Sequence, residues 1–393
     1  MDELMTATVV VRHGDQDAIE VREDWPVPVP VPVPVAGDGE LLVRVTVAAV
    51  NNTDIWTRRG AYGLPGQPDA LAGWRGPISF PRVQGGDIAG VVCAVGPGVS
   101  AGLVGRRVLV DPAIYLDEHP EAPPVGLLGS EADGGFAEYV VVPAAQTHDV
   151  TDSPLSDEQL ACLPVAYGAA IGMLERAELC AGERVLVTGA SGGVGLALVQ
   201  LAAPRGAKVV AVSSAAKADQ LRDAGAIGDV SRNAGNLATQ VTELMPSGLD
   251  AVADIAGGPL LDQWLPLVRD DGRWVIAGAV AGPVVSFDLR RRYLHNLRLI
   301  GIVDAHSGAL RQAHRGRPGW DDQPSNRRPP PARHPPGAAA VPRRQPHRED
   351  HHRSVRPLPA CPVERSPIGH QIARWRERWD RCWWRQAGAG LAK

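Results

Sequence analysis

The stretch ERVLVTGASGGVGLALVQLAAPRG (residues 183–206) narrows the possible folds more than any other part of the chain. A short apolar strand runs straight into a turn with glycines at 189, 192, 193 and 195, and an apolar helical run follows. A turn that tight needs residues without a Cβ. The helix behind it aims free N–H groups and the positive end of its dipole back at the turn. Such an end suits a pyrophosphate. The candidate binding loop is therefore Gly189, Ala190, Ser191, Gly192, Gly193, Val194 and Gly195. The plain alternative is a tight strand-to-helix turn with no ligand.

The pattern around the loop supports the first reading. The spacing predicts strands in 183–190, 207–214, 249–258, 273–280 and 297–303, with helices over 192–206, 215–226, 236–245 and 259–272. Strand and helix alternate, as in an α/β fold with a doubly wound parallel sheet. Upstream the texture differs. Residues 1–150 are rich in Val, Gly and Pro, with short apolar runs at 41–50, 86–96 and 105–114 divided by turn residues. That reads as a mostly-β domain. The run WPVPVPVPVPVA (25–36) loses a backbone donor at every second residue, so it reads as an extended linker. The domain expectation is 1–150, 151–303 and a separate tail, 304–393.

An acidic residue about 20 positions beyond the loop would bind the ribose hydroxyls of NAD. Here the second strand ends in Ser213 and Ser214, Lys217 follows, and Arg232 comes after the third strand. Small polar groups and nearby cations suit a 2′-phosphate, so NADPH is the expected cofactor. The alternative for Lys217 is a solvated lysine at a helix start.

The five cysteines form no CxxC pair and no Cys/His cluster, which argues against a disulfide framework and fits a reducing cytoplasm. The N-terminus lacks the basic-then-apolar pattern of a signal peptide, and no apolar run reaches the roughly 20 residues of a membrane span. The expected partner is a small-molecule substrate, with no nucleic acid and no membrane.

Several segments together resemble the medium-chain dehydrogenase/reductase superfamily: GDIAGVVCAVGPGV, DGGFAEYVVVP, VLVTGASGGVGLALVQLA, LDAVADIAGG and GRWVIAGAVAGP. The resemblance covers roughly 5–303. It implies a GroES-like catalytic domain, a Rossmann domain and a cleft between them. The zinc enzymes of that superfamily carry a cysteine where this chain has Asn51 and a histidine where it has Gly86. Their four-cysteine loop is absent too. Cys162 lies near the usual third ligand but reads better as a buried core thiol. The chain thus resembles the zinc-independent, quinone oxidoreductase-like branch, and AAVNNTDIWTRRGAY (48–62) matches that branch. The likeness implies that Asn51 faces the nicotinamide and the substrate carbonyl, with Tyr62 nearby and Asp54 holding the loop. A plain turn residue is the alternative for Asn51. Tyr167, in LPVAYGAA, is a further candidate near the cleft. The expected activity is hydride transfer from NADPH to a quinone, enone or related carbonyl, with no zinc. A non-catalytic NADPH-binding protein is the rival.

The last ninety residues break the pattern. Residues 1–303 carry 22 Lys+Arg against 36 Asp+Glu, a net of −14, whereas 304–393 carry 18 against 8, a net of +10. Thirteen prolines fall in that tail, and only 371–386 has helical spacing. A disordered or poorly packed segment is expected. Read one base on with permitted codons, 302–314 can give SSMHTPAHFARL and 330–340 can give PLRDIHRAQ. Both are similar to what the superfamily carries at these points. A frameshift near codon 302 is therefore expected, with an enzyme weakened or inactivated by it. A homodimer is compatible with the resemblance but is put in question by the altered C-terminus. The alternative for the Arg- and Trp-bearing tail is a nucleic-acid arm.

Overall fold

In Glu40–Ala49, Leu41, Val43 and Val45 are buried, and the residues between them are partly exposed. That is the two-residue period of a strand with one face on a core. The same logic builds the first half of the protein. A computed structural model describes residues 4–26, 39–64, 66–67, 69–116 and 122–303. The Val-Pro run from 27 on and the tail from 304 lie outside the described residues, and so do the expectations placed on them.

The first half holds β1 (Leu4–Val10), β2 (Ile19–Pro26), β3 (Glu40–Ala49), helix α1 (Asn52–Arg59), β4 (Arg82–Val83), β5 (Asp87–Val95), β6 (Arg107–Val110), β7 (Ala113–Tyr115), β8 (Pro124–Leu127), β9 (Tyr139–Pro143) and β10 (Thr147–Asp149). The main sheet runs β10-β6-β5-β3-β9, flanked by a β2-β1-β4 sheet and a β7-β8 hairpin. The run 105–114 is two strands, because Pro112 breaks it and Ala113–Tyr115 pairs with β8 instead.

Two helices lead into the second half: α2 (Asp157–Ala161) and α3 (Pro164–Arg176). Leu160, Ala161 and Leu163 pack with Ala89, Leu109 and Val150, so the chain stays on the first domain's core well past residue 150. α3 begins with a proline, whose missing N–H is harmless in a helix's first turn.

The second half contains β11 (Arg184–Val187), α4 (Gly193–Ala202), β12 (Lys208–Ser213), α5 (Ala218–Asp223), β13 (Gly228–Ser231), α6 (Leu237–Leu244), β14 (Leu249–Asp254), α7 (Leu260–Trp264), β15 (Val268–Ile276), α8 (Leu289–Leu294) and β16 (Arg298–Gly301). The strands form one parallel sheet, β13-β12-β11-β14-β15-β16. Alternate residues feed two cores. Val185, Val187, Val209, Ala211, Ala251 and Ala253 join one face, while Leu186, Val210, Val212 and Val252 join the other. Burial on both faces explains why these strands read as unbroken apolar runs.

Several expected boundaries move. The strand over 249–258 ends at Asp254 and the helix over 192–206 at Ala202. The helix over 215–226 is a 3-10 turn (Ala215–Lys217) followed by α5. The helix over 259–272 stops early: Pro266 sits in a short 3-10 turn after α7, and Val268–Gly272 already belongs to β15. The strand over 273–280 ends at Ile276. Among the described residues no helix is long and apolar enough to cross a membrane.

Candidate active site

The strand order places β11 between β12 and β14, so the order in which strands are added to the sheet reverses beside the glycine loop. Parallel α/β sheets hold ligands in the crevice at such a point. Gly189 has φ +58°, and its carbonyl accepts from Gly192 N–H at 3.0 Å. A Cβ on Gly195 would lie 2.3 Å from the Gly189 oxygen and 2.6 Å from the Ala190 Cα. Only glycine lets α4 start this close to the loop. Ser191, Gly192 and Gly193 are exposed at the helix start, Val194 is half-buried, and Ala190 is buried beneath them.

Ser213 is buried at the end of β12, with its hydroxyl donating to the Ser214 carbonyl at 3.0 Å. Lys217 N–H donates to the Ser214 carbonyl and Arg232 N–H to the Ser213 carbonyl. All four residues therefore gather at the C-terminal ends of β12 and β13. Nearby Arg222 is spent on Asp219 and Asp229. Lys217 and Arg232 have no carboxylate partner among the described residues.

A buried carboxylate not singled out from the sequence ties the crevice together. Asp254, at the end of β14, accepts from Thr188 Oγ1, from Ala256 and Gly257 N–H, and from Trp274 Nε1. Thr188 directly precedes Gly189, so one side chain fixes both lips of the crevice.

The second cluster centres on Asn51, which caps α1. Its backbone N–H donates to Asp54 at 2.7 Å, and its side-chain Nδ2 donates to Asp87 Oδ2 at 2.7 Å. Asp54 also accepts from Gly85 N–H at 3.2 Å, so it does hold the loop. Asp87 is 1% exposed, and its other oxygen accepts from Val165 N–H at 2.7 Å. Burial pushes the Asp54 carboxyl up to about 6 and the Asp87 carboxyl up to about 7. In each case the donated hydrogen bonds only partly offset the loss of water.

The structure joins the two clusters through successive residues of α3. Val165 holds Asp87, while the Ala166 Cβ would lie 3.5 Å from a Cβ on Gly193. Tyr167 follows. Its hydroxyl donates to Gln200 on α4, and its ring packs against cores of both halves. Tyr62 bonds to Thr53, in the first turn of α1, at 2.6 Å. Burial pushes its hydroxyl up to about 12. Cys162 is exposed, not a core thiol, because it sits at the end of the short α2.

Catalytic zinc takes three protein ligands. Here both Asp87 oxygens accept hydrogen bonds, and the Asn51 Nδ2 donates one of them. A side chain at Gly86 would start 3.3 Å from the Pro112 Cβ. Among the described residues no three His, Cys, Asp or Glu side chains converge.

Two family models match the chain: the alcohol dehydrogenase GroES-like domain over residues 37–152, and the zinc-binding dehydrogenase over 193–315. The second match continues past residue 303, where the sequence reading ends the resemblance. Prostaglandin reductase-3 of Bos taurus is 32% identical over 269 residues, covering 68% of this chain and 61% of the relative. The chain thus spans about three fifths of that relative's length. Quinone oxidoreductase of Homo sapiens is 28% identical, covering 70% of this chain and 74% of the relative. The crystal structure of an alcohol dehydrogenase candidate from Sinorhizobium meliloti 1021 superposes with a TM-score of 0.75 at 42% identity. That match covers 80% of this chain and 86% of the other.

Proposed function

The chain belongs to the medium-chain dehydrogenase/reductase superfamily, in its quinone oxidoreductase-like branch, and on that premise we propose an NADPH-dependent reductase that hydrogenates a quinone, an enone or a related carbonyl without zinc. One observation carries the reading: α3 binds Asp87, the anchor of Asn51, with Val165 and meets the glycine loop with Ala166. The amide and the dinucleotide loop thereby share one rigid support.

A bound NADPH supplies the hydride. The loop from Gly189 to Gly195 and the start of α4 would receive the pyrophosphate through backbone N–H groups. Ser213, Ser214, Lys217 and Arg232 would hold the 2′-phosphate, and the two cations have no competing carboxylate partner among the described residues. Asn51, hydrogen-bonded to Asp87 behind it, supplies amide N–H to the oxygen that gains charge during reduction. Tyr62 stays protonated at neutral pH and bonds the Thr53 hydroxyl in the first turn of α1. Tyr167 pins α3 to α4, holding the reactants in register.

Turnover of a panel of quinones and enones with NADPH, and with NADH as the control, tests this. Metal content of the same preparation is measured alongside. NADPH-preferring reduction without bound metal is the expected result. Stoichiometric zinc lost together with activity would overturn it. NADPH binding without turnover of any acceptor would leave a non-catalytic nucleotide-binding protein. The charge reversal beyond residue 303 favours a second reading, an enzyme impaired by a frameshift. Resequencing the gene across codon 302 decides that question.

A further inference from the structure

Asp87 lies behind Asn51, where it does not reach solvent, and its environment is nearly closed. Oδ1 faces Val165 N–H from α3, and Oδ2 faces the Asn51 amide from the cap of α1. The ionisable neighbours are Asp54, which repels a second negative charge, and the Cys162 thiol. Among the described residues no cation is paired with Asp87.

An ionised carboxylate only accepts hydrogen bonds, so it obliges Asn51 to turn its NH₂ inward. The Asn51 carbonyl oxygen then lies at the other end of the amide. A protonated carboxyl donates instead. It bonds equally well to that carbonyl oxygen, which turns the NH₂ outward. Both arrangements keep the Asp87–Asn51 bond and the bond to Val165.

We propose that Asp87 is a positioning residue that sets which end of the Asn51 amide faces the cleft: NH₂ outward when Asp87 is protonated, carbonyl outward when it is ionised. The outward NH₂ form puts both of its hydrogens within use of a developing oxyanion. It is therefore the form competent to reduce a carbonyl oxygen, and the proton that selects it stays on Asp87 throughout. This rests on the proposed reductase reading only for its catalytic consequence. Burial and Asp54 place the switch at about 7, within the working range.

The test follows the Asn51 side-chain amide by ¹⁵N-selective NMR of the full chain from pH 5 to 8.5, with no nucleotide or substrate present. Loss of the signal in Asn51→Ala assigns it. A titration of that signal near neutral pH is expected in the wild type, and a flat response in Asp87→Asn. Isotope-edited infrared should show one more protonated carboxyl disappearing over this range in the wild type than in Asp87→Asn, because Asp54 and Asp111 titrate in both. A signal that does not move in the wild type overturns the proposal whether or not Asp87→Asn folds. Where reductase activity is present, kcat should fall at least several-fold above the midpoint while the KM for NADPH stays constant. Asp87→Asn should flatten that profile. A wild-type profile equally steep in kcat and in nucleotide KM also overturns the proposal. Absence of turnover with an intact NMR titration would sink the reductase reading alone.

Discussion

The two ends of the active site are built from opposite materials. The nucleotide end is backbone: glycines that admit a close approach, a helix start, and two cations with no described carboxylate partner. The Asn51 end rests on side chains: two buried carboxylates from different segments hold this residue, Asp54 by its backbone N–H and Asp87 by its side-chain amide. A backbone site depends on spacing along the chain. A side-chain site depends on what lies behind each group, and it is sensitive to pH. The same division runs through the two halves. Asp54, Asp87 and Asp111 are all in the first half and are held up at about 6, 7 and 6 by burial. Burial also opposes ionisation of Asp250, in the second half, but bonds from Arg184 and Arg269 outweigh it and hold the carboxyl well below its usual range.

That contrast makes the largest prediction. An acid whose folded pKa is raised binds more protons folded than unfolded. Its stabilisation is complete below the unfolded value near 4 and is lost as pH rises toward the folded value. Each excess proton gives a slope of about 1.4 kcal/mol per pH unit. Denaturant unfolding should therefore show stability falling by several kcal/mol from about pH 5 to pH 7.5, on the scale set by that slope. Asp250 has the opposite sign: its contribution is present above the unfolded value and is lost in acid. Asp250→Asn should lower stability at pH 7 and reduce the loss below pH 4. Stability that rises steadily from pH 5 to 8 would break the comparison between the halves.

Next in size is Asn51→Ala. Removing one donor to a developing oxyanion costs roughly 10²- to 10³-fold in kcat. Nucleotide affinity should not change, because Asn51 is not part of the loop. Loss of NADPH affinity as large as the loss in kcat would show that the two ends are not separable.

A pair of glycines sharpens the nucleotide side. Gly195→Ala forces a Cβ into backbone at 2.3 Å and 2.6 Å, whereas Gly193→Ala meets only the Ala166 Cβ at 3.5 Å. Overpacking of about 1–3 kcal/mol predicts a loss of roughly 5- to 150-fold in NADPH affinity for the first. The second should stay within a few-fold. Equal losses in a binding titration would mean that the loop is not held by close approach.

The unequal legibility of the two ends follows from the same materials. Gly189 to Gly195 and the strands around them are contiguous, so their period and spacing were readable before any tertiary contact was known. The gaps were local: Pro266 and the start of β15 at Val268 looked like one helix, because an apolar run bounded by charges suits either state. Asn51 was visible only through family likeness. Its partner Asp87 lies 36 residues on, and the Val165 N–H that holds Asp87 lies 78 beyond that. No spacing rule connects them. The one local clue was the proline opening α3 in LPVAYGAA, which marks a helix start but not what it touches. Asp254 escaped for the same reason, since Thr188 and Trp274 reach it across the sheet.

The smallest effect concerns the choice between nucleotides. Lys217 and Arg232 gather beside Ser213 and Ser214 through backbone bonds, so removing either side chain leaves the strand ends intact. Arg222 nearby is committed to two carboxylates and does not compete. A hydrogen bond to a charged group is worth about 1.5–3 kcal/mol, and a half-exposed lysine such as Lys217 falls at the lower end. Lys217→Ala should then weaken NADPH binding roughly 10-fold. NADH lacks the 2′-phosphate and should bind as before. Adding Arg232→Ala should widen the gap further, and rising salt should narrow it in the wild type, because the attraction is between solvent-accessible charges. Isothermal titration of both nucleotides against the wild type and the two variants reads each term separately. Equal weakening for NADPH and NADH would place Lys217 outside the 2′-phosphate site and return it to the role of a solvated lysine at a turn.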